Sequence, residues 1–185
     1  DDPGTLHWLD FPSEGSFRGA RSLHKDLNVL DDHGNMTRHG RGVADLPVHP
    51  RLAHMLISAR SIGEGGVACH VAALLGERDV VRFEPGRQDA DIGLRVDLIR
   101  AARQNRPLAI PGAIPGAAVD KGAVVRAMRV SEHLRRRLGI KAENGGTDDL
   151  GRLLAWAYPD RIAQLRSGLK GKFLLSSGRG AFLDE

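Results

Sequence analysis

Two prolines three residues apart, Pro47 and Pro50, constrain this chain more than any other feature. Pro47 lacks an N–H and pushes Leu46 out of α geometry. A helix that Thr37 can cap through its side-chain oxygen must therefore end by Leu46. Pro50 suits the first turn of a new helix, where its missing donor costs nothing. Beyond it Leu52, Met55, Leu56 and Ala59 recur at i, i+3, i+4 and i+7, one apolar face. The joint Leu46-Pro47-Val48-His49-Pro50 is thus expected to fix the angle between two packed units.

The chain's 185 residues suffice for one domain or for two or three small ones. Hydrophobic residues make up 41% but aromatics only 4%, so the core must be built from Leu, Val, Ile and Ala. That favours packed helices over a β-sandwich. The single cysteine, Cys69, excludes an intrachain disulfide and suits a cytoplasmic protein. Its neighbours Val67, Ala68, Val71 and Ala72 mark it as a small buried residue rather than a ligand. No 18-residue apolar run and no signal peptide are present, so no membrane partner is expected. The opening Asp1-Asp2-Pro3, without Met, is what an excised fragment would show.

Ser13 can cap a helix to about Asn28, with Phe17, Ala20, Leu23, Leu27 and Leu30 on one side. The turn formers from Asp31 to Asn35 separate Val29-Leu30 from Met36-Thr37, which predicts a small hairpin. After the Pro50 helix, Ser61 to Gly66 stops the chain. Val67, Val71, Leu74 and Leu75 then form a largely buried helix ending near Gly76. Val80 to Asp89 reads as loop, and Ala90 to Gln104 as helix. The repeated Ala109-Ile110-Pro111-Gly112 and Ala113-Ile114-Pro115-Gly116 cannot be helix and read as a surface loop. Asp120 caps a long helix to about Leu138, closed by Gly139. Its inner face carries Val124, Ala127, Val130 or Ser131, Leu134 and Leu138. Its outer face carries Lys121, Arg126, Arg129, Arg135, Arg136 and Arg137. Glu143 to Gly146 breaks the chain, and Thr147 caps a helix with Leu150, Leu153, Leu154 and Ala157. Lys172–Leu175 and Ala181–Leu183 read as a hairpin without partners in this chain. Trp156 and Tyr158 read as core.

Net charge is +4, but residues 121–185 hold +6 and residues 1–120 hold −2. The basic half is a candidate phosphate-facing surface. Nucleotide hydrolysis needs a Gly-x-x-x-x-Gly-Lys-Ser/Thr loop and a carboxylate for Mg²⁺. Neither is present, and Gly168 to Phe173 has the wrong spacing and no hydroxyl after Lys172. His49 and His54, five apart, do not share a helix face, and no second thiol exists, so no metal site is expected.

An ordered set of motifs carries a family resemblance. Thr37, Gly40, Arg41, Leu46, Pro47, Pro50, Arg51, Leu52, Met55 and Leu56 resemble the helicase-associated region of DEAH-box RNA helicases. There that region joins a winged-helix domain to a helical ratchet. Tyr158-Pro159-Asp160-Arg161-Ile162-Ala163 and Leu174-Leu175-Ser176-Ser177-Gly178-Arg179-Gly180-Ala181 are similar to signatures of the bacterial HrpB-type branch. Glu77-Arg78-Asp79 and Ala90-Asp91 … Leu94-Arg95 fit that branch too.

The resemblance implies a mainly α fold: a winged helix (1–47), a ratchet-like helical bundle (48–157) and the start of a further domain (158–185) with a C-terminal β-hairpin. It implies a non-catalytic accessory region of an ATP-dependent RNA helicase. Its partners would be the motor domains of the same chain and single-stranded RNA, with ATP and Mg²⁺ bound only by the parent's motor. Candidate RNA contacts are Arg51, Arg129, Arg135, Arg136, Arg137, Arg161, Arg166, Lys170, Lys172 and Arg179. Arg161 and Arg179 have an equally plain structural reading, bracing the helix-to-hairpin turn. Glu77-Arg78-Asp79 reads as an ion-paired hinge to the motor or as an ordinary helix end. Two further classes are an independent winged-helix nucleic-acid binder and a protein-docking module without RNA contact.

Overall fold

The computed structural model describes residues 5–110, 114–141, 149–168 and 170–183. Among them are seven α-helices: α1 (Glu14–Asp26), α2 (Arg38–Ala44), α3 (Pro50–Ser61), α4 (Gly65–Gly76), α5 (Ile92–Arg103), α6 (Lys121–Leu138) and α7 (Leu150–Ala157). A 3-10 turn covers Pro159–Arg161. Five short strands complete the set: β1 (Val81–Phe83), β2 (Ala117–Val119), β3 (Ala163–Leu165), β4 (Lys172–Leu175) and β5 (Gly180–Phe182). The chain divides into two compact units, Asp1–Asp45 and Leu46–Glu185.

In the first unit the Ser13 hydroxyl caps α1 by accepting from Ser16 N at 3.2 Å. Asp31 Oδ1 accepts from Asn35 N at 2.8 Å and closes the turn. The hairpin read from sequence is a single β-bridge, Leu30 to Met36. The Thr37 hydroxyl does two jobs: it accepts from Gly40 N at 2.8 Å and donates to Asn28 O at 2.7 Å. Leu27, Val29 and Val43 form the small core, while α1 itself buries none of its residues.

The second unit is organised on α4, whose small residues let neighbours approach closely. Every residue from Gly65 to Leu74 is buried, and α4 packs against α3, α5 and α6. Pro50 opens α3 as expected, and Leu52, Met55, Leu56 and Ala59 are all buried. Cys69 is buried, and desolvation pushes its thiol up to about 12. The Asp120 carboxylate caps α6 by accepting from Ala123 N at 3.0 Å, and Gly139 closes it at φ +67°. In the buried middle, Ser131 Oγ lies 2.8 Å from His70 Nδ1 across α6 and α4.

Two expectations are corrected. The stretch from Val80 to Asp89 is not all loop: β1 pairs antiparallel with β2, Val81 opposite Val119. Val80 and Val81 are buried, and hiding two apolar residues beside β2 is what draws this stretch into a strand. Nor is the C-terminal hairpin without partners. β3 adds to β4 and β5 to give a three-stranded antiparallel sheet, with Leu165 opposite Phe173 and Phe173 opposite Ala181. A third strand gives a small sheet the extra ladder a lone hairpin lacks. The opening Asp1-Asp2-Pro3, the centre of the Pro-Gly repeat (111–113), the Glu143 to Gly146 break, the Thr147 cap and Leu169 lie outside the described residues.

Gly40 shows how tightly the first unit is built. A Cβ there would collide with the carbonyl oxygen of Val29 and crowd the Met36 side chain. Gly40→Ala is therefore expected to destabilise the first unit by about 1–3 kcal/mol. Amide exchange should accelerate across α2 and leave α4 unchanged.

Candidate nucleic-acid interface

The position of Arg51 sets up a bidentate contact across more than a hundred residues of chain. It sits in the first turn of α3, after His49 as N-cap and Pro50. A cation there opposes the helix dipole, so it needs a carboxylate close by. Asp160, 109 residues later, supplies it: Arg51 Nη1 lies 2.5 Å from Oδ1, and Nη2 lies 3.0 Å from Oδ2. Nη1 also donates to the carbonyl of Ala157 at 3.2 Å, at the last residue of α7. Only 13% of the Arg51 side chain is exposed. The hydrogen bonds and charge of Arg51 hold the Asp160 carboxyl below its usual value, against a smaller opposing effect of burial. The next residues extend the clasp. Ser176 N donates to Ile162 O at 2.8 Å, and its hydroxyl donates to Pro159 O, tying the turn after β4 to the 3-10 turn.

A second fork joins another two motif blocks. Arg95 on α5 is 8% exposed. Its Nε and Nη2 donate to Asp79 at 2.9 and 2.7 Å, and its Nη1 donates to Asp91 O at 2.9 Å. Burial alone would raise the Asp79 carboxyl, but the Arg95 hydrogen bonds and the Val81 N–H bring it below its usual value. Asp79 thus pairs inside this chain.

The ten expected phosphate contacts fall into separate groups. Arg51 is committed to Asp160. Arg135 is buried, 2% exposed, which corrects its placement on the outer face of α6. It follows Leu134 and lies four residues after Ser131, so it shares the inward stripe. Its Nη2 donates to Lys141 O at 3.4 Å, and Glu132 lies 4.0 Å from its Nε. Glu132 also pairs with Arg103 of α5 at 2.8 Å, across the α5–α6 seam. Arg129, Arg136 and Arg137 are exposed on α6. Arg161, Arg166, Lys170, Lys172 and Arg179 are exposed on the 3-10 turn and sheet. Arg166 and Lys172 flank a hollow of about 280 Å³ with Phe173 and Phe182.

One recess brings three of the ten together. A groove of about 950 Å³ runs between the Pro47–Leu52 segment, α4, α6 and the 3-10 turn. Ala72, Leu75, Val130 and Leu134 give it apolar walls. Arg51, Arg129 and Arg161 contribute guanidiniums, and His49, His133 and Glu77 further polar groups. Tyr158 also lines it, half-buried rather than core, with Arg51 5.2 Å and Arg161 5.0 Å from its ring centroid. Trp156 is half-buried too, with Arg152 5.9 Å from its centroid.

Asp160, Tyr158, His49, His133 and Glu77 were not among the expected site residues. The signal for Asp160 was available, since an arginine in the first turn of a helix calls for an acid. The others depend on which helices meet, and no local pattern reports that. No group of three or more His, Cys, Asp or Glu that could hold a metal ion occurs among the described residues. No described helix is long and apolar enough to cross a membrane.

The frame is mainly helical, and its motif blocks pair with one another. No family model matches the chain. Over 183 residues, 99% of its length, the chain is 30% identical to the ATP-dependent RNA helicase HrpB of Escherichia coli (strain K12). It spans 19% of that protein. Two crystal structures, of the E. coli DExH-box NTPase HrpB and the E. coli DEAH/RHA helicase HrpB, match at TM-score 0.70 and 28% identity. Each match covers 99% of this chain and 19% of the other. The resemblance to HrpB-type helicases thus extends along the whole chain, and the chain fits one part of such a protein.

The Arg51 clasp makes acid stability predictable. The folded-state pKa of Asp160 is depressed, so its contribution is present above the unfolded value and is lost as pH falls through the folded one. Asp160→Asn should lower unfolding free energy at pH 7 by about 1.5–3 kcal/mol. The gap to wild type should close below about pH 4, as read by urea denaturation across a pH series.

Proposed function

We propose that the chain is a non-catalytic accessory region of an ATP-dependent RNA helicase, bracing the motor domains of the same protein and guiding single-stranded RNA. The observation that carries this reading is the coverage: likeness spans 99% of this chain but 19% of the helicase, and the chain lacks the phosphate loop of a motor. On this reading residues 1–47 are a winged helix and 48–157 a ratchet-like bundle. Residues 158–185 begin a further domain, ATP and Mg²⁺ belong to the motor, and the protein works in the cytoplasm.

The RNA role is supported by charge placement. The +6 of residues 121–185 is presented by exposed Arg129, Arg136, Arg137, Arg161, Arg166, Lys170, Lys172 and Arg179. Guanidinium forks suit phosphate oxygens. An independent duplex reader is less well supported. α1 carries Arg18, Arg21 and Lys25 against Glu14 and Asp26, and Arg18 already lies 3.9 Å from Glu14. A protein-docking role draws support from Leu165, Phe182 and Leu183, each more than half exposed on or beside the sheet.

Titration of a labelled single-stranded RNA at several salt concentrations tests the proposal. Affinity should fall steeply with salt, each phosphate contact adding about 0.7 to the log–log slope. Arg136→Glu with Arg137→Glu should weaken binding and flatten that slope. A response that is flat in salt, or no binding, contradicts RNA guidance by this chain.

A further inference from the structure

We infer that the groove beside α3, α4 and α6 seats one unpaired nucleotide of an RNA strand, its base on the Tyr158 ring and its phosphate on Arg129 and Arg161. This rests on the reading of the chain as an RNA-guiding region and names where the strand is held.

The volume, about 950 Å³, is that of a site for a nucleotide-sized ligand. Arg51 lines the groove, but Asp160 neutralises it, so it serves as a fixed wall. That leaves Arg129 and Arg161 against Glu77, a positive balance that matches one phosphate better than a run of them. Leu75 and Val130 offer the apolar surface on which a base loses water. Tyr158 is placed by the helix end before it and by Pro159 after it. The bidentate Arg51 packs on its ring and holds it in position. Arg161 is exposed and touches the ring only as a cation over its π-face, a weak hold. It can therefore turn to a phosphate and yield the ring to a base. Stacking accepts any base, so the seat should be indifferent to sequence.

The test compares fluorescein-labelled U12 with an abasic twelve-mer of the same backbone, titrated against the 185-residue chain and its variants. The wild type should prefer U12 by about fivefold or more. Tyr158→Leu should erase that preference, and Tyr158→Phe should keep it, which separates stacking from a general loss of fold. Arg129→Ala with Arg161→Ala should weaken both probes and lower the salt slope by about 0.7. If the wild type binds U12 with steep salt dependence but all variants match it, the nucleotide seat is wrong and RNA guidance stands. If the wild type binds neither probe, both readings fail.

Discussion

The second unit depends on one clasp, the Arg51 fork on Asp160. It joins the first turn of α3 to the 3-10 turn after α7 across 109 residues of chain. Loop closure over that length costs entropy but grows only slowly with length. A bidentate guanidinium–carboxylate pair, part-buried, offsets part of it. The geometry follows from the sequence around it. Pro50 fixes the start of α3, so Arg51 must project from its first turn, where the helix field favours an anion nearby. Pro159 ends α7 and turns the chain, so Asp160 faces back toward that spot.

This arrangement gives the motif residues a physical meaning. The residues that carry the resemblance to HrpB-type helicases are largely paired with one another. Arg51 of the first block meets Asp160 of the last, Arg95 meets Asp79, and Ser176 bonds to Pro159 and Ile162. Thr37 and Gly40 cap and close the first unit. Such residues serve the frame. The groove and the exposed arginines, which lie between and beyond the pairs, are where interaction chemistry is left over.

Much of the fold was legible because capping and proline rules act locally. Ser13, Thr37, Pro50, Asp120 and Gly139 each mark a helix end that the structure keeps. The apolar face of α3 was legible for the same reason. The β1–β2 and β3–β4 pairings were not, since strands of three or four residues have too little period to announce themselves. Val81 pairs with Val119, about forty residues later, so no local pattern reports the pairing. Arg135 was misplaced because its charge suggested solvent, whereas its position four residues after Ser131 and three before Leu138 turns it inward. Glu132, one turn before it, and the Lys141 carbonyl make that burial tolerable. Arg129 and Arg161 meet in one groove only through the packing of α3, α4 and α6, which no linear pattern encodes.

If Arg51 and Asp160 act as one unit, their energies are coupled. A double-mutant cycle with Arg51→Met and Asp160→Asn, measured by urea denaturation at neutral pH, tests it most directly. A coupling energy of about 1.5 kcal/mol or more is expected. Effects that simply add, within about 0.3–0.5 kcal/mol, would show that the two residues are neighbours without being a clasp.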